Sequence, residues 1–156
     1  MAISITLQEY LNKCGVSYEV IPHSHTTTSL NTAETLPIPH EQLAKSVILE
    51  DERGYLMAVV PATHHVQLGQ LSQQLERRLG LATEQDLAEM FSDCELGAIP
   101  PIGDAYNMDV IIDDDLRDCP DIYFEAGDHT EVIHLRGEDF QRLMQHAQHG
   151  HFSYHT

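Results

Sequence analysis

The sequence predicts a single α+β domain in which helices surround a central mixed or antiparallel sheet. Three observations carry this. Helical and strand periodicities interleave along the chain with no repeat and no linker. Residues 44–50 and 55–61 are apolar and β-branched, and the tight 51–54 turn joins them as a hairpin at the centre of a sheet. Finally, 156 residues with 42% hydrophobic and 21% charged content are enough for one buried core.

Taken in order, Thr6 with Glu9 three residues on has the capping-box pattern. It opens a short helix with Leu7, Tyr10 and Leu11 inward and Gly15 ending it. Residues 17–21 alternate as a strand. The segment 23–29 is a polar turn, Asn31 or Thr32 caps a brief helix through Leu36, and 37–40 lead into another helical turn. After the hairpin, Leu68, Leu71, Leu75 and Leu79 give 67–78 a helical spacing, and Thr83 caps a second helix to Met90. Residues 107–112 read as a strand ending in a solvated acidic turn at Asp113, Asp114 and Asp115. Short strands at 122–125 and 130–135 flank Gly127, Asp128 and His129, and a last helix runs from Glu138 to Ala147. The domain therefore spans 1–147, and the His-rich 148–156 are expected to form a frayed, disordered tail.

Composition removes several classes of function. No apolar run approaches the roughly 20 residues of a membrane span. The N-terminus lacks the basic start and long apolar core of a signal peptide, so a soluble cytoplasmic protein is expected, acting as a monomer. Cys14, Cys94 and Cys119 are odd in number and widely spaced, against both a disulfide framework and a thiolate zinc site. Twenty-five acids against eight bases leave a net charge of −17, which repels nucleic acid at long range. Any RNA partner needs a local basic site, and the only lysines are Lys13 and Lys45.

The most constrained stretch is 91–103, FSDCELGAIPPIG. Gly97 and Gly103 open backbone conformations closed to other residues, while Pro100 and Pro101 fix their own and extend Ile99. The product is a stiff apolar loop suited to a pocket wall, with N–H groups at Gly97, Ala98 and Ile99 available to a ligand. Lys45 starts an apolar strand with Val47 and Leu49 on its own face, where an ammonium is costly unless paired or wet. It is either a phosphate-binding point charge or a strand-end lysine reaching solvent. His129 could bond a ligand or carry a proton, although its turn pattern alone favours a histidine in water. Cys94 between Asp93 and Glu95 makes a poor nucleophile, since carboxylates raise a thiol pKa. His64, His65, His146, His149, His151 and His155 show no recognised ligand spacing, so no metal and no cofactor is expected.

With these residues placed, the chain resembles the YbaK/EbsC family, free-standing relatives of the editing domain inserted in bacterial prolyl-tRNA synthetases. The resemblance rests on YEVIPHSHTTTSLNTAETL with LAKSVIL, on DCELGAIPPIG as a GxxxP loop, and on FEAGDHTEVIHLRGEDF, in that order over 18–140. It implies a partly barrel-like sheet and hydrolysis of the aminoacyl ester at the 3′ end of mischarged tRNA, without metal or covalent enzyme intermediate. It implies catalytic roles for Lys45 and Gly97, and substrate contacts from Thr28, Ser29, Ala98, Ile99, Pro101, Gly127 and His129. The expected partner is the aminoacyl-tRNA 3′ end, delivered by an aminoacyl-tRNA synthetase or elongation factor where the acidic surface would repel it. Serine, alanine, threonine, cysteine and proline stay open as the group removed. Two other readings remain beside this one: a non-catalytic module binding a small molecule or regulatory protein, and a Cys94-dependent hydrolase.

Overall fold

The computed structural model describes residues 3–24, 32 and 36–155. Its first helix, α1 (Ile5–Cys14), buries Leu7 and Leu11 completely. The cap is Ser4 rather than the expected Thr6: the Ser4 hydroxyl accepts from the Leu7 N–H at 3.1 Å. Tertiary contacts override the local pattern, because the Ser4 N–H also donates to the Ala126 carbonyl at 2.7 Å and its hydroxyl to Asp93 at 2.8 Å. Strand β1 (Glu19–Pro22) follows. Most of the polar turn and brief helix expected over 23–36 lies outside the described residues, as do Thr28 and Ser29. Thr32 is helical and fully buried.

β2 (Leu43–Asp51) and β3 (Gly54–Pro61) form the predicted hairpin, in register from Ala44 opposite Pro61 to Asp51 opposite Gly54. Next come β4 (His64–Val66), α2 (Leu68–Leu75), β5 (Gly80–Leu81) and α3 (Glu84–Met90). Helix α2 stops short of Arg78 because Glu76 turns left-handed at φ 53°. Thr83 caps α3 as expected, accepting from the Asp86 N–H at 3.1 Å. β6 (Asp109–Asp113), β7 (Asp121–Glu125), β8 (Glu131–Arg136) and α4 (Gly137–Leu143) complete the elements predicted from pattern.

The main sheet has the order β1-β8-β7-β2-β3-β6, and it is mixed: β2 with β7 and β3 with β6 run parallel, the other neighbours antiparallel. The principal core joins Leu7 and Leu11 of α1 to Phe140 and Leu143 of α4 against one side of it. A second cluster, including Leu49, Leu56, Val60 and Leu71, packs α2 on the other side. One irregularity positions the site. Along the edge of β2 opposite β3, β7 pairs only with Leu43 and Ala44, and β5 only with Leu49 and Glu50. Residues 45–48 between them have no strand partner on that edge.

The C-terminal segment corrects the expectation of a frayed tail. β9 (Gln148–Gly150) adds to the sheet beside β6, β10 (Ser153–His155) pairs with β4, and Phe152 between them is fully buried. The reason is Asp113, expected in a solvated turn and found with no exposed surface. Its Oδ2 accepts from the Phe152 N–H at 3.1 Å, the Ser153 N–H at 3.0 Å and the Ser153 hydroxyl at 2.8 Å. Its Oδ1 accepts from the Asp115 N–H at 2.9 Å. A buried carboxylate is retained only with such partners. Asp113→Ala is therefore expected to lower stability by about 3 kcal/mol in urea unfolding, since it strands buried donors. It should also speed amide exchange at Phe152 and Ser153, and unchanged exchange there would contradict the anchoring role.

Candidate functional site

The 91–103 loop fills the gap in the β2 edge. It is anchored first at Asp93, which accepts from the Ser4 hydroxyl at 2.8 Å and the Thr6 N–H at 3.0 Å. Burial alone would raise the Asp93 carboxyl, but these donors outweigh it and hold the group below the usual carboxylate range. The loop then pairs with the β7–β8 turn: Glu95 N–H donates to Gly127 O at 2.7 Å, and Gly127 N–H to Ala98 O at 3.1 Å. Residues 95–98 close a tight turn through Ala98 N–H to Glu95 O at 3.1 Å. Gly97 takes φ 82° at the third position of that turn, where a type II geometry demands positive φ. On the far side the Ser46 hydroxyl donates to Ile99 O at 2.8 Å. Ala98, Ile99, Pro100 and Pro101 are buried, while Gly97 is exposed at the tip.

Three motifs distant in sequence are thereby joined: the 45–48 strand edge, the 95–101 loop and the turn at 127–129. Gly127 is the tightest point. It sits at φ 112°, and an added Cβ would lie 2.7 Å from Ser4 Cβ, so the turn, the loop and the start of α1 all converge on it. The expectation of free N–H groups along the loop needs correction at Ala98, whose N–H is spent on the loop's own turn. The Ile99 N–H meets no acceptor among the described residues.

His129 is not a turn histidine in water; it is 2% exposed. Its Nε2 lies 2.8 Å from the Leu96 carbonyl, its backbone N–H donates to Glu95 Oε2 at 3.1 Å, and its Nδ1 is in ion-pair contact with Glu125 Oε2. Glu125 is a site residue that sequence reasoning passed over. It too is 2% exposed, and burial pushes its carboxyl up to about 7, against the pull of the Thr32 hydroxyl and of His23. His23 Nε2 is 3.2 Å from Glu125 Oε1. The available signal was alternation: Ile122 and Phe124 point into the main core, so Glu125 shares the opposite face with Tyr123.

Lys45 leaves β2 on the face opposite Ser46, the side carrying Leu43, Val47 and Leu49. It is half-buried, and burial lowers its pKa from the usual lysine value. Among the described residues no carboxylate forms an ion pair with it. A partly desolvated ammonium without a counterion is an open position for an anion. Cys94 has the opposite character. Burial first, and then the Asp93 charge, push its thiol up to about 12, and its Sγ contacts are Asp93 and the Tyr106 hydroxyl rather than an imidazole. The only described group with metal-ligand proximity, Asp113, Asp115 and His151 within 4.8 Å of one another, belongs to the C-terminal anchor. The Asp113 oxygens there are already occupied.

No curated protein matches the chain. Solved structures share its fold. One is a candidate trans-editing enzyme for prolyl tRNA synthetase, 20% identical with a TM-score of 0.84 over 97% of this chain and 96% of that one. Another is a hypothetical protein, 16% identical with a TM-score of 0.82 over 96% of this chain and 99% of that one. A third is a candidate signal transduction protein from Marinobacter aquaeolei, 18% identical with a TM-score of 0.80. It is covered over only 30% of its own length and 96% of this one. The family model for the aminoacyl-tRNA editing domain matches residues 23–143, which takes in the Lys45 strand, the Gly97 loop and the His129 turn. With most of its length matched, this chain belongs to the aminoacyl-tRNA editing domain family.

Proposed function

We propose that this protein is a free-standing trans-editing deacylase, which hydrolyses the aminoacyl ester at the 3′ end of mischarged tRNA. The observation that carries the reading is Lys45, a half-buried cation with no ion pair among the described residues, next in sequence to Ser46, whose hydroxyl anchors the apolar loop at Ile99, in a family of editing domains. In this reading Lys45 holds a phosphate of the terminal nucleotide. Gly97, Ala98, Ile99 and Pro101 wall the aminoacyl side chain, with Gly127 and His129 behind them and Thr28 and Ser29 as further contacts. Water attacks the ester carbonyl, and the Ile99 N–H is the donor available to the developing oxyanion. The C–O bond to the ribose then breaks, and the proton from water passes to the ribose oxygen, releasing free amino acid and uncharged tRNA. An ester is activated enough for orientation and one or two donors to drive this without metal or covalent intermediate. In this reading the loop walls off the aminoacyl side chain and selects by exclusion, as a second sieve does.

The net charge of −17 shapes how tRNA arrives. One lysine at the site means few phosphate contacts. The reading therefore includes delivery by a synthetase or elongation factor in the cytoplasm, to a monomeric enzyme. No helix among the described residues is long and apolar enough to cross a membrane. A second reading, a non-catalytic binding module, draws on the same acidity and on the related fold within the larger candidate signal transduction protein.

The test is a deacylation screen with tRNAs charged with serine, alanine, threonine, cysteine or proline. Wild type should release one or two of these amino acids. Lys45→Ala should lose at least about 100-fold in kcat/KM with stability unchanged or slightly raised, since it removes an uncompensated buried charge. Cys94→Ser should stay within about twofold of wild type, because the thiol has no base to activate it. Release from none of the five substrates would favour the binding module, and loss in Cys94→Ser would favour the thiol hydrolase.

A further inference from the structure

Glu125, His23 and His129 form a buried cluster whose hydrogen-bond logic can be solved for its protons. His129 Nε2 lies 2.8 Å from the Leu96 carbonyl and His23 Nδ1 lies 2.7 Å from the Ser24 carbonyl. A carbonyl oxygen only accepts, so each imidazole carries its hydrogen on that nitrogen. In a neutral ring the other nitrogen is then an acceptor, and in both rings that other nitrogen faces Glu125. Each contact therefore needs a proton of its own, held either by the carboxyl or by a doubly protonated ring. A bare carboxylate facing neutral rings would set lone pair against lone pair.

We propose that Glu125 is a positioning residue: through protons shared with His129 and His23, its carboxyl holds the Leu96–Gly97 loop in register with the His23 and Thr32 positions. The link to the loop is short. His129 grips Glu95 through its backbone and Leu96 through its ring, and Gly97 follows directly. Thr32 hydrogen-bonds the same carboxyl. Among the described residues, the charged and titratable groups facing the cluster are His23, His129, Asp128 and Glu95. Asp128 raises the Glu125 carboxyl further, although its Oδ1 is engaged by the Thr130 N–H and hydroxyl. Once the carboxyl proton leaves, a neutral His129 ring can satisfy Glu125 only with its hydrogen on Nδ1, and the Leu96 carbonyl then loses its donor. Since the folded carboxyl titrates at about 7, well above its unfolded value, the clamp is closed below that pH and opens as pH rises through it.

The geometry stands apart from the deacylase reading, but its effect on turnover rests on that reading, so the test has two arms. The first uses NMR on the free protein between about pH 5.5 and 8.5, spanning the raised carboxyl titration. Expected are the Nε2–H form for His129 at the acid end and a pH-dependent shift of the Leu96 and Gly97 amides that follows the Glu125 carboxyl. Glu125→Gln, whose amide nitrogen can donate to His129 at every pH while its oxygen faces His23, should retain the His129 ring form and abolish that pH dependence. An unprotonated His129 Nε2, or Leu96 and Gly97 amides that titrate equally in Glu125→Gln, would overturn the proposal. The second arm follows hydrolysis of whichever aminoacyl-tRNA in the five-member panel wild type cleaves. The wild-type to Glu125→Gln ratio of kcat/KM should fall about tenfold from pH 6 to pH 8, mainly through KM. Glu125→Ala, if folded, should raise KM at both pH values. A ratio constant with pH in an active enzyme would overturn the positioning role. Absence of hydrolysis in wild type would count against the deacylase reading alone, with the NMR arm still deciding the clamp.

Discussion

A strand edge that its neighbours do not fill governs this structure. β7 runs beside β2 for only two residue pairs, and β5 joins it for only two more at the other end. An unpaired edge buried in a domain leaves backbone groups and side chains that something must satisfy. The Ala82 N–H takes the Ile48 carbonyl, and the 95–101 loop lies against the rest of the gap, tied by the Ser46 side chain to Ile99 on one side and by Gly127 to Glu95 and Ala98 on the other. Everything chemical in the molecule gathers round that insertion. Lys45 precedes the tethering serine, His129 follows the tethering glycine, and Asp93 fastens the loop to the N-terminal end of α1.

The insertion also explains why the site is rigid. Proline at 100 and 101 restricts the loop from within, while buried hydrogen bonds from Ser4, Thr6 and Ser46 restrict it from outside. Rigid placement matters for a reaction that needs orientation more than strong acid–base chemistry. The thiol in the loop is left out of that chemistry by its burial.

The elements with strong periodicity were legible in the sequence: the β2–β3 hairpin, α3 with its Thr83 cap, and the strands flanking Gly127 all follow from pattern. What escaped was decided by tertiary partners. Ser4 displaced Thr6 as the cap because Asp93 and Ala126, both remote in sequence, meet it there. Asp113 looked like a solvated acid until the Phe152 and Ser153 N–H groups reached it across forty residues or so, and with it came order in the C-terminal segment. His129 sat in a turn motif that typically faces water, and only the fold shows Glu125 and Leu96 closing over it. Of the candidate site, Lys45 and the Gly97 loop were readable because their residue types are costly where they stand. Glu125 was not, because its burial depends on what packs over its face of the sheet.

The most direct test of the central claim, that one site spans Lys45 and the Gly97 loop, is a crystal structure with a hydrolysis-resistant ligand. A 3′-aminoacylamino analogue of the terminal tRNA adenosine, carrying its 5′-phosphate, would serve. The phosphate is expected on the Lys45 ammonium and the aminoacyl carbonyl within hydrogen-bond reach of the Ile99 N–H, with the side chain against Ala98 and Pro101. A ligand bound instead in the cleft between Tyr10, Asp104, Arg142 and His146, with Lys45 unengaged, would contradict it.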